Sequence, residues 1–461
     1  MDKAIILAAG EGTRMKSRIS KVMHKIVNKS LLEYVLEASV EAGIDENIVI
    51  VGKNEDVVKE YFGDSLIYRR QNIGKDFPYG TGYAVMQAVD LIEDGDSIAI
   101  LSGDVPLIRP ETLKDLMDFH NKSGNDATVL TADIDDPSGY GRILKDEEGK
   151  FLRIVEDRDC TEEEKKIKEF NSGIYVFNGG RLKDALKKLD MDNSQGELYV
   201  TDVFSILRQE EGQIDTFKLK DLEEVYGINS KVQLAEAEEI MRKRINTRYM
   251  EEGVILENPS SITIEKGVVI GQDTKIEANV RILGKTEIGR DCLIGANSQV
   301  EDSILGDEVI IKSSFVEKSS VGDYTDIGPF AHIRPNSKLG RQVHIGNFVE
   351  IKNASLGDYT KAGHLAYVGD ADLGSKINVG CGVIFVNYDG KNKFRSKVED
   401  GAFVGSNANI VAPVHIDREA YVAAGSTITR DVEAGALAVE RARQKNIAGY
   451  VERKKEKEKN K

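Results

Sequence analysis

Ile264, Ile270, Ile276, Ile282, Ile288, Ile294 and Val300 stand six residues apart. The phase slips, then resumes at Val321, Ile327, Ile333, Leu339, Ile345 and Ile351, and again at Val404, Ile410, Ile416, Val422 and Ile428. An α-helix repeats its apolar face every 3.6 residues and a half-buried strand every two, so neither accounts for this spacing. A coil of three six-residue sides does. One aliphatic residue per side points inward, and stacked coils bury a continuous apolar column. Glycine often follows the aliphatic position, as at Gly271, Gly289 and Gly405, where the chain turns between sides. A scaffold of this kind is uniform, so function is expected where the rhythm breaks, around "KAGHLAYVGD" and "GCGVIFVNYDGKNKFRSK".

The chain has 461 residues, which suggests two or three domains. Residues 1–229 have a different texture from the repeat. "AIIL" at Ala4–Leu7, "NIVIV" at Asn47–Val51 and "SIAIL" at Ser97–Leu101 read as buried strands. Between the first two, "SLLEYVLEASVEAG" reads as a helix with a capping box at Ser30 and Glu33 and Gly43 past its end. This alternation predicts a mostly parallel, Rossmann-like α/β sheet covered by helices. Residues 230–252 read as one linker helix, capped by Ser230 and Gln233. Residues 253–461 hold the repeat and end in a solvated tail, "ERKKEKEKNK".

The formal net charge is −15, which disfavours general binding to nucleic acid or an anionic membrane. No apolar stretch approaches a membrane span, and "MDKAIILAAG" lacks a basic start and a cleavage site, so a cytoplasmic protein is expected. Cys160, Cys292 and Cys381 are scattered and form neither a disulfide framework nor a zinc site.

The first strand runs into "LAAGEGTRM" at Leu7–Met15. This is not a P-loop, since no Lys-Ser or Lys-Thr follows at the required offset. Nor is it the dinucleotide fingerprint, since Met15 stands where the third glycine belongs. Arg14 within the loop and Lys21 just after it supply positive charge. With backbone N–H groups, they suit a triphosphate.

"LAAGEGTRMKSRISK" resembles the signature of the sugar-phosphate nucleotidyltransferases. Joined to a hexapeptide-repeat domain, the chain from about Ala4 to Gly449 resembles the bifunctional enzymes that combine N-acetylglucosamine-1-phosphate uridyltransferase and glucosamine-1-phosphate acetyltransferase activity. The resemblance implies that the repeat is a left-handed parallel β-helix. It also implies a homotrimer making UDP-N-acetylglucosamine for peptidoglycan and the cell wall, with UTP and acetyl-CoA as co-substrates and Mg²⁺ as cofactor. Leu7, Ala8, Ala9, Gly10, Lys21, Gln71, Gly80 and Thr81 would then bind the nucleotide, with Arg14 and Lys21 positioning its phosphates. Gly141 in "GYGR", Glu156 in "IVED" and Asn171 in "FNSGI" would contact the acetylamino sugar, and Asp104 and Asn229 would hold the metal. Two departures stand out. Ser20 replaces the proline usual before the lysine, which removes a restraint on Lys21, and "NIGKDFPY" before Gly80 is longer than the family pattern.

In the repeat, "AGHLAY" resembles the family's catalytic segment, which implies His364 as general base among six histidines. His24, His120, His332, His344 and His415 are read as structural or merely exposed. The same resemblance assigns Arg334, Lys352, Tyr367 and Asn378 to glucosamine 1-phosphate. It assigns Cys381, Asn387, Tyr388, Ser406, Ala424 and Arg441 to acetyl-CoA, with Cys381 standing where alanine is usual. One rival reading is a single-activity sugar-1-phosphate nucleotidyltransferase whose β-helix only regulates or assembles it. Another is a non-catalytic interaction subunit.

Overall fold

The computed structural model describes residues 1–74, 77–191 and 196–460. Its contacts divide the chain into two compact units, Met1–Met241 and Arg242–Lys461.

The first unit is built on a sheet of β1 (Asp2–Leu7), β2 (Glu46–Val51), β3 (Ile67–Arg70), β4 (Ser97–Ser102), β5 (Ala127–Asp133), β6 (Arg142–Lys145), β7 (Phe151–Val155), β8 (Glu169–Asn178) and β9 (Ile214–Lys218). The order is β9-β5-β8-β4-β1-β2-β3, with the β6–β7 hairpin pairing at β8. β4, β1, β2 and β3 run parallel, and β9 runs parallel to β5. β8 is antiparallel to β4, β5 and β6. Ala4, Ile5, Ile6, Ile48, Val49 and Ile50 are fully buried, as expected for central strands covered on both faces.

The expected first helix spans Leu31–Glu41, and the Ser30 hydroxyl accepts from Glu33 N at 3.2 Å. The long helix spans Lys231–Glu251, with the Ser230 hydroxyl accepting from Gln233 N at 3.2 Å. It is more than a connector. Within the first unit Ala237 is buried in a cluster with Ile26, Leu31, Leu107 and Ile228. Within the second, Tyr249 is buried at the head of the repeat's core and Asn246 donates to the carbonyls of Pro259 and Ile262.

The second unit is the left-handed parallel β-helix, with three all-parallel sheets of eleven, ten and nine short strands. Ile264, Ile282, Val300, Val316, Ile333, Ile351 and Val368 pair in succession down one face and are all buried. The phase slip has a local cause. The inward positions Val300, Leu305, Ile311, Val316 and Val321 include corners shortened by one residue. Asp302, Ser313 and Lys318 turn with positive φ around them. The two expected breaks differ in kind. "KAGHLAYVGD" does not interrupt the coil: Asn347 pairs with His364 and Ile351 with Val368, and buried Ala362 keeps the inward place of an aliphatic residue. The second is a true excursion. Phe385 pairs with Ile410 and Leu373 with Val398, while residues 387–395 leave the coil between them.

Candidate active sites

The first site forms where the parallel strands end, the usual place for a ligand in such a sheet. Leu7, Ala8, Ala9, Gly10, Lys21, Gln71, Gly80, Thr81, Ser102 and Asp104 line a cleft of about 220 Å³, with Tyr79 and Glu197 at its side. Ala8 N donates to Ile50 O at 2.9 Å, so the loop leaves β1 still hydrogen-bonded to β2. Gly12 then turns at φ 60°, and a methyl group there would lie 2.6 Å from Lys21 Cβ. Glycine at this point lets the loop close over the lysine stem. Gly10 faces open space, which leaves its backbone free to approach a ligand.

Lys21 joins three elements. It pairs with Asp104, and its ammonium donates to Asn229 Oδ1 at 2.7 Å. Arg14 donates to the same Asn229 oxygen at 2.8 Å. Asp104 is held by Ser102, whose hydroxyl donates to Oδ1 at 2.5 Å, and Ile228 N donates to Asp104 O at 3.0 Å. Asn229 N donates to Gln233 Oε1 at 2.9 Å, so the cap of the long helix also fixes Asn229. Two oxygen donors from distant sequence thus turn toward one positive charge. This donor set fits a small hard cation, which takes one or two protein oxygens and keeps the rest for phosphate and water. Among the described residues, no group of three or more His, Cys, Asp and Glu side chains gathers as a metal site.

Gln71 is buried and donates to Gly80 O at 3.3 Å. Lys75 and Asp76, in the segment between them, lie outside the described residues. Gly141, Glu156 and Asn171 do not line the cleft. They gather on β6–β8, where Asn171 N donates to Gly141 O at 2.8 Å and Asn171 Nδ2 donates to the buried Tyr175 hydroxyl at 2.8 Å. Glu156 is largely enclosed, and burial pushes its carboxyl above the usual range.

The second site lies along one edge of the β-helix. Lys361, Asn378, Phe403 and Tyr421 pair in register on successive coils. Three residues beyond each stand His364, Cys381, Ser406 and Ala424, a column running from the histidine. Arg441 closes its far end, donating to Ala424 O at 2.8 Å. Successive coils are one strand spacing apart, about 4.8 Å. An extended molecule laid along this edge would therefore meet each residue in turn. His364 Nδ1 lies 2.8 Å from Asn347 Oδ1. An amide oxygen only accepts, so the hydrogen sits on Nδ1, and in the neutral ring Nε2 is the nitrogen with the lone pair.

Arg334 pairs with Glu350 at 2.7 Å. Lys352 lies near it, and Lys393, followed by burial and then Arg334, holds the Lys352 ammonium below its ordinary pKa. Tyr367 lies within 3.4 Å of Asn387 Nδ2, and Asn387 also donates to the buried carboxylate of Asp370. Asn378 and Tyr388 are exposed. Lys393, Asp370 and Asn347 escaped the sequence reading. Lys393 comes from the excursion, and only the pairing register brings Asn347 beside His364. Of the remaining histidines, His332 lies 3.5 Å from Glu317, and His24 Nε2 is buried without a hydrogen-bond partner among the described residues. His120 is buried beside Thr128, and His344 and His415 face Asp326 and Glu399.

Comparison with known proteins agrees with both halves. Residues 3–222 match the nucleotidyl transferase family, residues 264–355 the GMPPB C-terminal domain, and residues 396–430 the hexapeptide repeat of succinyl-transferase. The chain is 49% identical over 456 residues to the bifunctional protein GlmU of Clostridioides difficile (strain 630), covering 99% of this chain and 98% of the relative. It is 50% identical over 452 residues to the GlmU of Alkaliphilus oremlandii (strain OhILAs), covering 98% of each. The GlmU of Enterococcus faecalis (strain ATCC 700802 / V583) is 48% identical over 452 residues, again with 98% of each chain covered.

Proposed function

This chain belongs to the family of the bifunctional GlmU proteins, and from that membership we propose how its two groups of residues divide the work. The protein is a bifunctional enzyme of UDP-N-acetylglucosamine synthesis. It acetylates glucosamine 1-phosphate with acetyl-CoA, then transfers UMP from UTP to N-acetylglucosamine 1-phosphate and releases pyrophosphate. Residues 1–229 carry uridyl transfer and residues 253–461 acetyl transfer, on either side of the helix 230–252. The cytoplasm, where UTP and acetyl-CoA are available, is the setting that suits both reactions.

In uridyl transfer a phosphate oxygen of the sugar 1-phosphate attacks the α-phosphorus of UTP. The bond to the β-phosphate breaks and pyrophosphate leaves. The nucleophile is already anionic, so the task is to gather negative charges and align them. Leu7–Gly10, Gln71, Gly80 and Thr81 hold the nucleotide, and Arg14 and Lys21 offset its phosphates. Gly141, Glu156 and Asn171 hold the acetylamino sugar. Asp104 and Asn229 would hold Mg²⁺, which supplies further positive charge to the phosphates; their convergence on Lys21 supports this.

In acetyl transfer the neutral amine of glucosamine 1-phosphate attacks the thioester carbonyl. His364 Nε2 accepts the amine proton while Asn347 holds Nδ1–H. The carbon–sulfur bond then breaks and the thiolate leaves with a proton. Arg334 and Lys352 offset the sugar phosphate, with Tyr367 and Asn378 beside it. Acetyl-CoA lies along Cys381, Ser406, Ala424 and Arg441, with Asn387 and Tyr388 from the excursion across it. The column below His364 is the observation that carries this reading. A homotrimer is supported by Phe330, Phe348 and Leu365, which are 61%, 55% and 59% exposed beside His364. The two phenyl rings stack at 5.6 Å, and an apolar ladder of this kind favours a partner surface.

The test supplies glucosamine 1-phosphate, acetyl-CoA, UTP and Mg²⁺, then omits each in turn. UDP-N-acetylglucosamine should form only with all four. Product from N-acetylglucosamine 1-phosphate, but none from glucosamine 1-phosphate plus acetyl-CoA, would leave only the single-activity reading.

A further inference from the structure

Lys21 can serve the nucleotide only if the chain before it is fixed, and at Ser20 the family's proline is missing. The structure supplies another restraint. Ser20 sits at φ −53° and ψ 139°, a conformation that proline also adopts. Its hydroxyl accepts a hydrogen bond from Asn54 Nδ2 at 2.9 Å. The same amide donates to Ala8 O at 2.9 Å. Asn54 Oδ1 accepts from Gly52 N at 2.9 Å, which fixes the amide's orientation at the end of β2. One side chain therefore ties the end of β2, the residue that follows β1 and the residue before Lys21 together.

We infer that Asn54 is a positioning residue of the nucleotide site, clasping the loop between Ala8 and Ser20 so that Lys21 is aimed at Asp104 and Asn229. The loop is long, and its interior is glycine-rich with exposed charged residues. Ordering such a segment costs conformational entropy at each binding event unless it is paid beforehand. Asn54 does not itself line the cleft, so its effect passes through Ala8 O and the loop. The inference rests on the reading of the cleft as the UTP site.

The experiment measures uridyl transfer from UTP to N-acetylglucosamine 1-phosphate in the full chain, with Asn54→Ala, Ser20→Ala, Ser20→Pro and the double variant Asn54→Ala/Ser20→Pro. Asn54→Ala should lower kcat/KM for UTP about 10-fold or more, chiefly through KM, the ordering cost being of that order. Ser20→Ala should lower it less, because the bond to Ala8 O survives. In the double variant proline's fixed φ should restore most of the loss, whereas a general destabilisation by Asn54→Ala would not be relieved. Acetyl transfer in each variant reports that the chain is folded. Lys21→Ala separates the two levels. If it leaves uridyl transfer intact, the cleft reading itself fails. If it inactivates while Asn54→Ala stays within twofold of wild type, or if the double variant gains nothing over Asn54→Ala, the clasp alone is wrong.

Discussion

His120 is 3% exposed, and burial lowers its pKa to about 4. The unfolded value is near 6.5, so the folded state binds the proton less readily. The stability this neutral ring confers is therefore complete above about pH 6.5 and is lost as pH falls toward 4. The shift corresponds to roughly 3 kcal/mol at most. His120→Asn keeps a polar partner for Thr128 but cannot titrate. Its melting temperature should fall less than the wild type's between pH 7 and pH 5, and parallel curves by calorimetry would contradict this. Cys381 is the opposite case, an exposed side chain whose backbone does the structural work: Asn407 N donates to Cys381 O at 2.7 Å. Cys381→Ala should stay active. A maleimide on the native thiol should block acetyl transfer and spare uridyl transfer, with acetyl-CoA protecting. Full labelling, confirmed by mass, with undiminished acetyl transfer would remove this column from the cofactor path.

Gly80 opens the helix Thr81–Met86 at φ 119°, and a methyl group there would collide with the Leu198 carbonyl. The close approach also carries Gly82 N→Leu198 O and Leu198 N→Tyr79 O, both 2.8 Å. Gly80→Ala should therefore destabilise the first unit by about 1–3 kcal/mol and raise KM for UTP. A melt and a UTP titration check both, and an unchanged KM would detach this turn from the nucleotide. The sequence singled out Gly80 through its resemblance to a nucleotide-binding element, but neither the turn nor its partner, Leu198, was legible, because local patterns carry no information on which distant segment closes against a strand end. The same limit applies elsewhere. Capping boxes at Ser30 and Ser230 are local, and both helices begin where they indicate. The hexad period is also local, since it repeats a single coil. β8 escapes notice as an antiparallel strand because strand direction depends on the connection, and "EFNSGIYVFN" reads alike either way. Among site residues, those in glycine-rich or cationic motifs were legible. Asn54, Asn347 and Lys393 carry no motif and acquire their places only when β2, a neighbouring coil and the excursion fold.

Two compact units, each with its own buried core, give a direct way to assign the chemistry, because damage to one site leaves the other's core intact. Asp104→Ala removes the carboxylate that faces Lys21 but no apolar contact of the sheet. It should abolish most uridyl transfer while acetyl transfer continues. His364→Ala acts in reverse. The ring is exposed at the coil edge and adds nothing to the apolar column, so folding should persist. Acetyl transfer should fall roughly 10²- to 10⁴-fold, the range for loss of a general base. Uridyl transfer, supplied with N-acetylglucosamine 1-phosphate, should be nearly unchanged. Mixing the two variants then supplies both intact sites in one tube, and UDP-N-acetylglucosamine should again form from glucosamine 1-phosphate through released intermediate. Each measurement needs circular dichroism to establish that the variant is folded. Loss of both activities in a folded Asp104→Ala or His364→Ala chain would falsify the division of labour. Failure of the mixture alone, with each single activity present, would instead mean that the acetylated intermediate does not pass through solution.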